Sequence, residues 1–279
     1  MRRVVIGTYT DGFMHAGNLA YLALTTLFPF FIVAAAIARL FGRSADGLRA
    51  VEGFLQTVPP GVADVLRQPI RDVLEARSGS LLWLGALVGM WTTAGFIETL
   101  RDMLRRAYGT TATHSFLRYR LASAGLIISA VLLAFFSFTL QVLLVAAEQF
   151  IYRLIPFATK AQQIVSIGRL APAVAVFVAL YLLFWSLTPS RYRHGHYLVW
   201  PGAALTASWW LAVTQLLPTA LSLLGGYDLT YGSLAGVMIA LIFFFLVGLG
   251  VVVGAQLNAA LAEVPLEEVE QLGQPLRPE

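Results

Sequence analysis

The sequence predicts an all-α fold: a polytopic bundle of six transmembrane helices, with amphipathic periplasmic helices between the first and second. Three observations predict it. The 279 residues are 58% hydrophobic and 12% charged, with a mean hydropathy of +0.75, too apolar for a surface that faces water. The charges are segregated. Ala16–Ala38, Ser78–Ile97, Leu121–Ala147, Leu170–Ser190, Tyr197–Tyr227 and Leu229–Ala262 carry none, so the 19 basic and 15 acidic side chains all fall in the remaining residues. Each stretch reaches the roughly 20 residues a helix needs to cross the hydrocarbon core. They also lack the alternation of barrel strands, the other way to satisfy backbone polar groups in lipid.

The first helix is expected over Leu19–Leu40, behind Arg2 and Arg3. Ala34–Ala36 resembles a signal-peptidase site, but the run is too long for an h-region and five spans follow, so it reads as an uncleaved signal anchor. Pro29 removes one backbone bond near its middle and leaves a carbonyl to be met by a neighbour, Thr25 or Thr26. Next, Leu48, Val51, Leu55 and Val58 recur at helical spacing, as do Val62, Val65, Leu66, Ile70, Val73 and Leu74, with Arg, Asp and Glu on the other faces. Pro59–Pro60–Gly61 turns between these two amphipathic helices, which occupy 42–77 and are expected at the membrane interface or capping the bundle. The remaining spans are expected over Leu81–Leu100, Leu121–Gln149, Ala171–Thr188, Leu198–Leu224 and Ser233–Ala260. Pro172 and Pro201 sit near helix starts, where a missing N–H costs little. Residues 1–262 thus form the transmembrane domain, and 263–279 an acidic, disordered cytoplasmic tail.

Orientation follows from basic residues beside the spans. With the N-terminus inside, the inner segments hold Arg2, Arg3, Arg101, Arg105, Arg106, Arg118, Arg120, Arg191, Arg193 and Arg277, against nine basic residues outside. Five of the inner arginines crowd the second loop with Asp102 as their one acidic neighbour, which favours both termini in the cytoplasm. The absence of cysteine excludes disulfides, thiol catalysis and thiolate metal sites.

Three segments carry a resemblance. Asn18-Leu-Ala-Tyr-Leu-Ala-Leu-Thr-Thr-Leu-Phe-Pro29, Leu104-Arg-Arg-Ala-Tyr-Gly109 with Phe116-Leu-Arg-Tyr-Arg120, and Tyr231-Gly-Ser-Leu-Ala-Gly-Val237 leading to Gly254-Ala-Gln-Leu-Asn-Ala259 are similar to motifs of the YihY/BrkB family of bacterial inner-membrane proteins, once mislabelled ribonuclease BN. Pro189 and Pro201–Gly202 also stand in family-like positions. The resemblance implies six helices, an inner-membrane location and a transport-like or envelope role, without a substrate. Arg105 replaces a common Asn, and Gln256 a common Glu, so a proton-coupling role for that carboxylate does not carry over.

Polar side chains inside spans are expensive and mark a pathway or interhelical glue. Asn18, Glu98, Arg101, Gln141, Arg169, Gln256 and Asn258 are the candidates for lining a pathway. The plainer expectations are a helix-end ion pair between Glu98 and Arg101, interface packing for Arg169 and an interhelical amide bond between Asn18 and Asn258. Gly232, Gly236 and Ala240, then Gly250, Gly254 and Asn258, recur every four residues and form close-packing seams, as do Gly85 and Gly89; Pro29 belongs with these packing positions. Arg105, Arg106, Arg118, Arg120, Arg191 and Arg193 suit anionic lipid headgroups. Asp228 reads as a turn residue and N-cap. His194-Gly-His196 is a weak metal signal with no third ligand nearby.

No phosphate loop, nucleophile elbow or paired acidic metal site is present, so neither an enzyme nor a cofactor is expected. The expected partners are membrane lipids and no nucleic acid, with self-association left open. The expected function is transport of a lipid-like or anionic solute in the cell envelope. The alternative is a non-transporting scaffold or regulator, and ribonuclease activity is a distant third.

Overall fold

The computed structural model describes residues 8–40, 51–76, 80–110, 115–133, 171–193, 198–224 and 234–262. Among them every regular element is helical: α1 (Phe13–Leu40), behind a π-helical turn at Thr8–Gly12; α2 (51–55); α3 (Pro60–Ala76); α4 (Ser80–Ala107); α5 (Phe116–Leu133); α6 (Ala171–Leu187); the single turn α7 (Ser190–Arg193); α8 (Trp200–Leu224); and α9 (Ala235–Leu261). Phe13–Ile37, Phe116–Leu133 and Ala235–Leu261 are long and apolar enough to cross a membrane, and Ala173–Leu187 is a shorter apolar helix. Gln141, Arg169, Asp228, Gly232, the two loop histidines and the 263–279 tail lie outside the described residues.

Three helices depart from their expected bounds by several residues. α5 begins at Phe116 rather than Leu121. α1 begins at Phe13 rather than Leu19. α4 continues past Leu100 to Ala107, because its charged end packs on α5 and a glycine then stops it. Gly109 takes φ 63°, its N–H donates to the Arg106 carbonyl at 3.1 Å, and the Thr110 N–H donates to the Arg105 carbonyl at 2.9 Å. This is the paired C-terminal bonding that a left-handed glycine permits, with Arg105 and Arg106 in the last turn where the helix dipole favours cations.

α9 is the hub of the packing, and its glycines make that possible. A methyl on Gly202 of α8 would overlap the Gly254 carbonyl and the Asn258 amide, and one on Gly254 would overlap Thr206 Oγ1 and approach Gly202 O within 2.7 Å. One on Gly250 would strike the Trp209 indole. On another face, Gly248 lets α9 approach α1, where an added methyl would lie 3.1 Å from the Ala16 carbonyl. Gly236 makes room for Val65 of α3. The Gly250–Gly254–Asn258 seam is therefore as expected from its spacing, and its partner is Gly202–Thr206–Trp209. Pro29 meets Gly89 of α4, where an added methyl would sit 2.7 Å from the proline carbonyl. The hydroxyls beside it turn back into their own helix instead of reaching forward: Thr25 Oγ1 donates to Tyr21 O at 2.9 Å and Thr26 Oγ1 to Leu22 O at 2.6 Å.

The amphipathic pair buries Val51, Leu55, Val58, Val62, Leu66 and Ile70, the face its spacing marked. These side chains share one core with Phe31 of α1, Val213 and Leu217 of α8, and Ala240, Phe243 and Val247 of α9. Glu52 ties the limbs together, receiving Arg71 at 2.7 Å with Arg67 at 3.6 Å. Tyr108, after α4, packs on Tyr192 of α7 with ring centroids 5.0 Å apart and is hydrogen-bonded to Thr188. The connections after α4 and α6 thus lie at one end of the bundle. The α2–α3 hairpin lies at the other, beside the C-terminal half of α8 and the start of α9.

Candidate functional site

The densest charge in the described core lies where α4 meets α5. Arg101 is buried, 8% exposed, and its Nη1 donates to Ser123 Oγ at 3.1 Å and to the Tyr119 carbonyl at 3.5 Å. Its guanidinium carbon lies 5.2 Å from the Tyr119 ring centroid, and that of Arg105 lies 4.1 Å from the same ring. Two cations therefore contact one aromatic ring, an attraction that strengthens where water is excluded. Arg105 also donates to Asp102 at 2.8 Å, an exposed carboxylate one turn back.

One turn earlier on α4, Glu98 accepts from Arg120 Nη1 at 2.9 Å, while Arg120 Nη2 donates to the Trp91 carbonyl at 2.8 Å. The guanidinium lies 4.1 Å from the Trp91 ring centroid. Both side chains of this pair are largely buried. Glu98 Oε1 and Arg120 Nε are buried without a hydrogen-bond partner, an acceptor and a donor open within one ion pair. The expected pairing of Glu98 with Arg101 is thus corrected. Glu98 turns to the facing helix, where a guanidinium anchored over Trp91 offers a single charge-assisted donor, and Arg101 takes neutral acceptors instead. Arg120 is correspondingly a largely buried cation held by Glu98 and Trp91.

The charges do not balance. Arg101, Arg105 and Arg120 face Glu98 and Asp102, and no ion pair joins Arg101 to a carboxylate among the described residues. A buried cation in this state is costly and calls for a counter-charge. Trp91, Phe116, Leu117 and Leu121, on the same two helices, are all more than half exposed. Arginine and exposed apolar surface therefore lie side by side.

The other expected residues are placed differently. Asn258 is fully buried, and its bonds all go to the start of α8: Nδ2 donates to Val199 O at 2.9 Å, and Oδ1 accepts from the Gly202 N–H at 2.7 Å. It caps α8 from a neighbouring helix, meeting an N–H that has no partner within α8 itself. The expected amide bond with Asn18 is therefore replaced, and Asn18 is exposed on α1. Gln256 is half-buried one turn from the cluster of α8–α9 contacts. Arg106, Arg118 and Arg191 are exposed at the end of the bundle that holds the α4 and α6 connections.

The family model described as virulence factor BrkB matches residues 8–276. The chain belongs to that family. Among curated proteins it is similar to a ribonuclease-like protein, YfkH, of Bacillus subtilis (strain 168), 28% identical over 262 residues that make up 91% of each chain. It is also similar to a UPF0761 membrane protein of Xanthomonas oryzae pv. oryzae (strain PXO99A), 25% identical over 257 residues, 90% of this chain and 57% of that one. The chain thus spans little more than half the length of this second relative. No solved structure matches.

Within this BrkB-family chain, sequence reasoning missed the roles of three residues. Tyr119 stood only as part of the Phe116–Arg120 motif, and its contacts with Arg101 and Arg105 give it a role. Gly202 and Thr206 of α8 stand four apart, the same small-residue signal that identified the α9 seam, and could have been read as its partner.

Proposed function

We propose that this membrane protein crosses the bacterial inner membrane six times, with both termini in the cytoplasm, and moves a lipid-like or anionic solute. The observation that carries the reading is Arg101, a buried guanidinium with no carboxylate of its own, beside Arg105 and Tyr119 and flanked by exposed apolar side chains. A phosphate or carboxylate headgroup supplies the missing charge, and the apolar faces of α4 and α5 accept its hydrocarbon. The placement of the α4 and α6 connections at one end and the hairpin at the other supports an even number of crossings. The reading assigns no catalytic step and no cofactor.

Transport or flipping of anionic phospholipid by the purified chain in liposomes tests it. Loss of more than tenfold is expected in Arg101→Gln, with the protein still folded; wild-type rates in that variant would sink the assignment. A second reading, a non-transporting scaffold or regulator, is favoured by one observation. The polar side chains of the α8–α9 seam are tied up in helix–helix bonds, as in a rigid unit.

A further inference from the structure

The apex of the α2–α3 hairpin is held far from the ends of the helices around it. The Thr57 carbonyl accepts from Trp210 Nε1 at 2.7 Å and from Thr214 Oγ1 at 3.2 Å. Those residues lie ten and fourteen positions from the C-terminal end of α8 at Leu224. At 1.5 Å per residue, the apex stands about 15–20 Å inside that end. Contacts measured from the ends of two other helices give a similar depth. Phe54 stacks edge-on against Phe31, at a centroid distance of 5.7 Å and nine residues before the end of α1. Trp210, which binds the apex, stacks on Phe243 at 5.8 Å, eight residues after the start of α9. These correspond to roughly 14 Å and 12 Å.

The apex is built for a site without water. Non-helical backbone survives at membrane depth only where its polar groups are met by protein. Pro59 and Pro60 bring no N–H donors to the turn. The Pro59 carbonyl accepts from Val62 N–H at 3.0 Å and Ala63 N–H at 2.9 Å, and Thr57 Oγ1 donates to Phe54 O at 2.7 Å. Val58 and Pro59 are buried. The charges sit toward the limbs, where Glu52, Asp64, Arg67 and Arg71 pair with one another. α9 is 27 residues long, about 40 Å against a hydrocarbon core of about 30 Å. Assigning all of that excess to the hairpin end still leaves the apex inside the core.

We infer that the hairpin is re-entrant: it enters and leaves the bilayer on one side, and its apex, Thr57–Pro59, closes that end of the bundle between α1, α8 and α9. This differs from both positions its amphipathic pattern suggested, at the membrane interface or capping the bundle. It rests on α1, α8 and α9 crossing the membrane, and not on transport.

The absence of cysteine in the chain supplies the test. Single cysteines replace Val58, Asp64, Asp72 and Ser115 in the full-length protein in sealed vesicles, and a membrane-impermeant maleimide is added to either side. Cysteines at 64 and 72 are expected to label from one side and at 115 from the opposite side. The cysteine at 58 is expected to label at least tenfold more slowly from both sides, until the protein is denatured. Labelling at 58 as fast as at 64 would overturn the inference in favour of a surface cap, and labelling of 64 and 72 from opposite sides would overturn it in favour of a pair of spans. Failure of 64 and 115 to separate by side would remove the membrane topology beneath it. Thr57→Cys replaces Val58→Cys where the latter does not fold, since the carbonyl that binds Trp210 belongs to the backbone.

Discussion

The α8–α9 seam and the α4–α5 cluster both bury polar groups between helices, and they do so in opposite ways. At the seam, glycines bring backbones together, and the amide and hydroxyl there are matched: Asn258 meets Val199 and Gly202, and Thr206 Oγ1 lies within reach of the Gly202 and Gly250 carbonyls at 2.8 and 3.1 Å. The cluster keeps one cation beyond its carboxylates and leaves Glu98 Oε1 and Arg120 Nε open. A matched interface resists change. An unmatched one has something left to bind, and the proposed function rests on this difference.

The contrast can be broken most severely at the seam. Gly254→Leu drives a branched side chain into Thr206 and the Gly202 carbonyl, and a crowded core cannot absorb it. No folded monodisperse protein is expected by size-exclusion chromatography in detergent; normal elution and melting would mean the helices separate readily. Next in size is Arg120→Ala, which strands a largely buried Glu98. Breaking a buried pair this way costs about 3 kcal/mol. Thermal unfolding should show that loss, with most of it recovered in Glu98→Gln/Arg120→Gln.

Asn258→Ala should cost about 1–2 kcal/mol by leaving the Gly202 N–H buried and unmet, within the range for interhelical bonds in membranes. Arg101→Gln sharpens the comparison from the other side. Its stability should change by less than about 1 kcal/mol, because an unpaired charge is removed while a donor for Ser123 remains, and anionic-lipid binding should fall. A large stability loss would make Arg101 structural. Asp102→Asn is the smallest, below about 0.5 kcal/mol, because its bond to Arg105 lies at an exposed carboxylate.

Legibility followed the range of the physics involved. Spacing within a helix identified Gly250, Gly254 and Asn258 as one face and Val51 to Ile70 as another, because periodicity is a property of one element. It could not name the partner of Asn258, and it sent Glu98 to its nearest neighbour in sequence. Arg120, 22 positions away on the facing helix, won that carboxylate through geometry that no local pattern encodes. The depth of the hairpin was equally hidden. An amphipathic helix on a membrane surface and one docked into a bundle bury the same stripe, and contacts with distant helices, such as those of Thr57 with Trp210 and Thr214, distinguish them.

Asn258 has a consequence for the order in which the chain assembles. The start of α8 is synthesised before the side chain that caps it, which arrives near the end of α9. Until Asn258 is made, α8 carries an unmet N–H at Gly202 and an open glycine face, so α9 must be synthesised almost to its end before the α8–α9 interface can close.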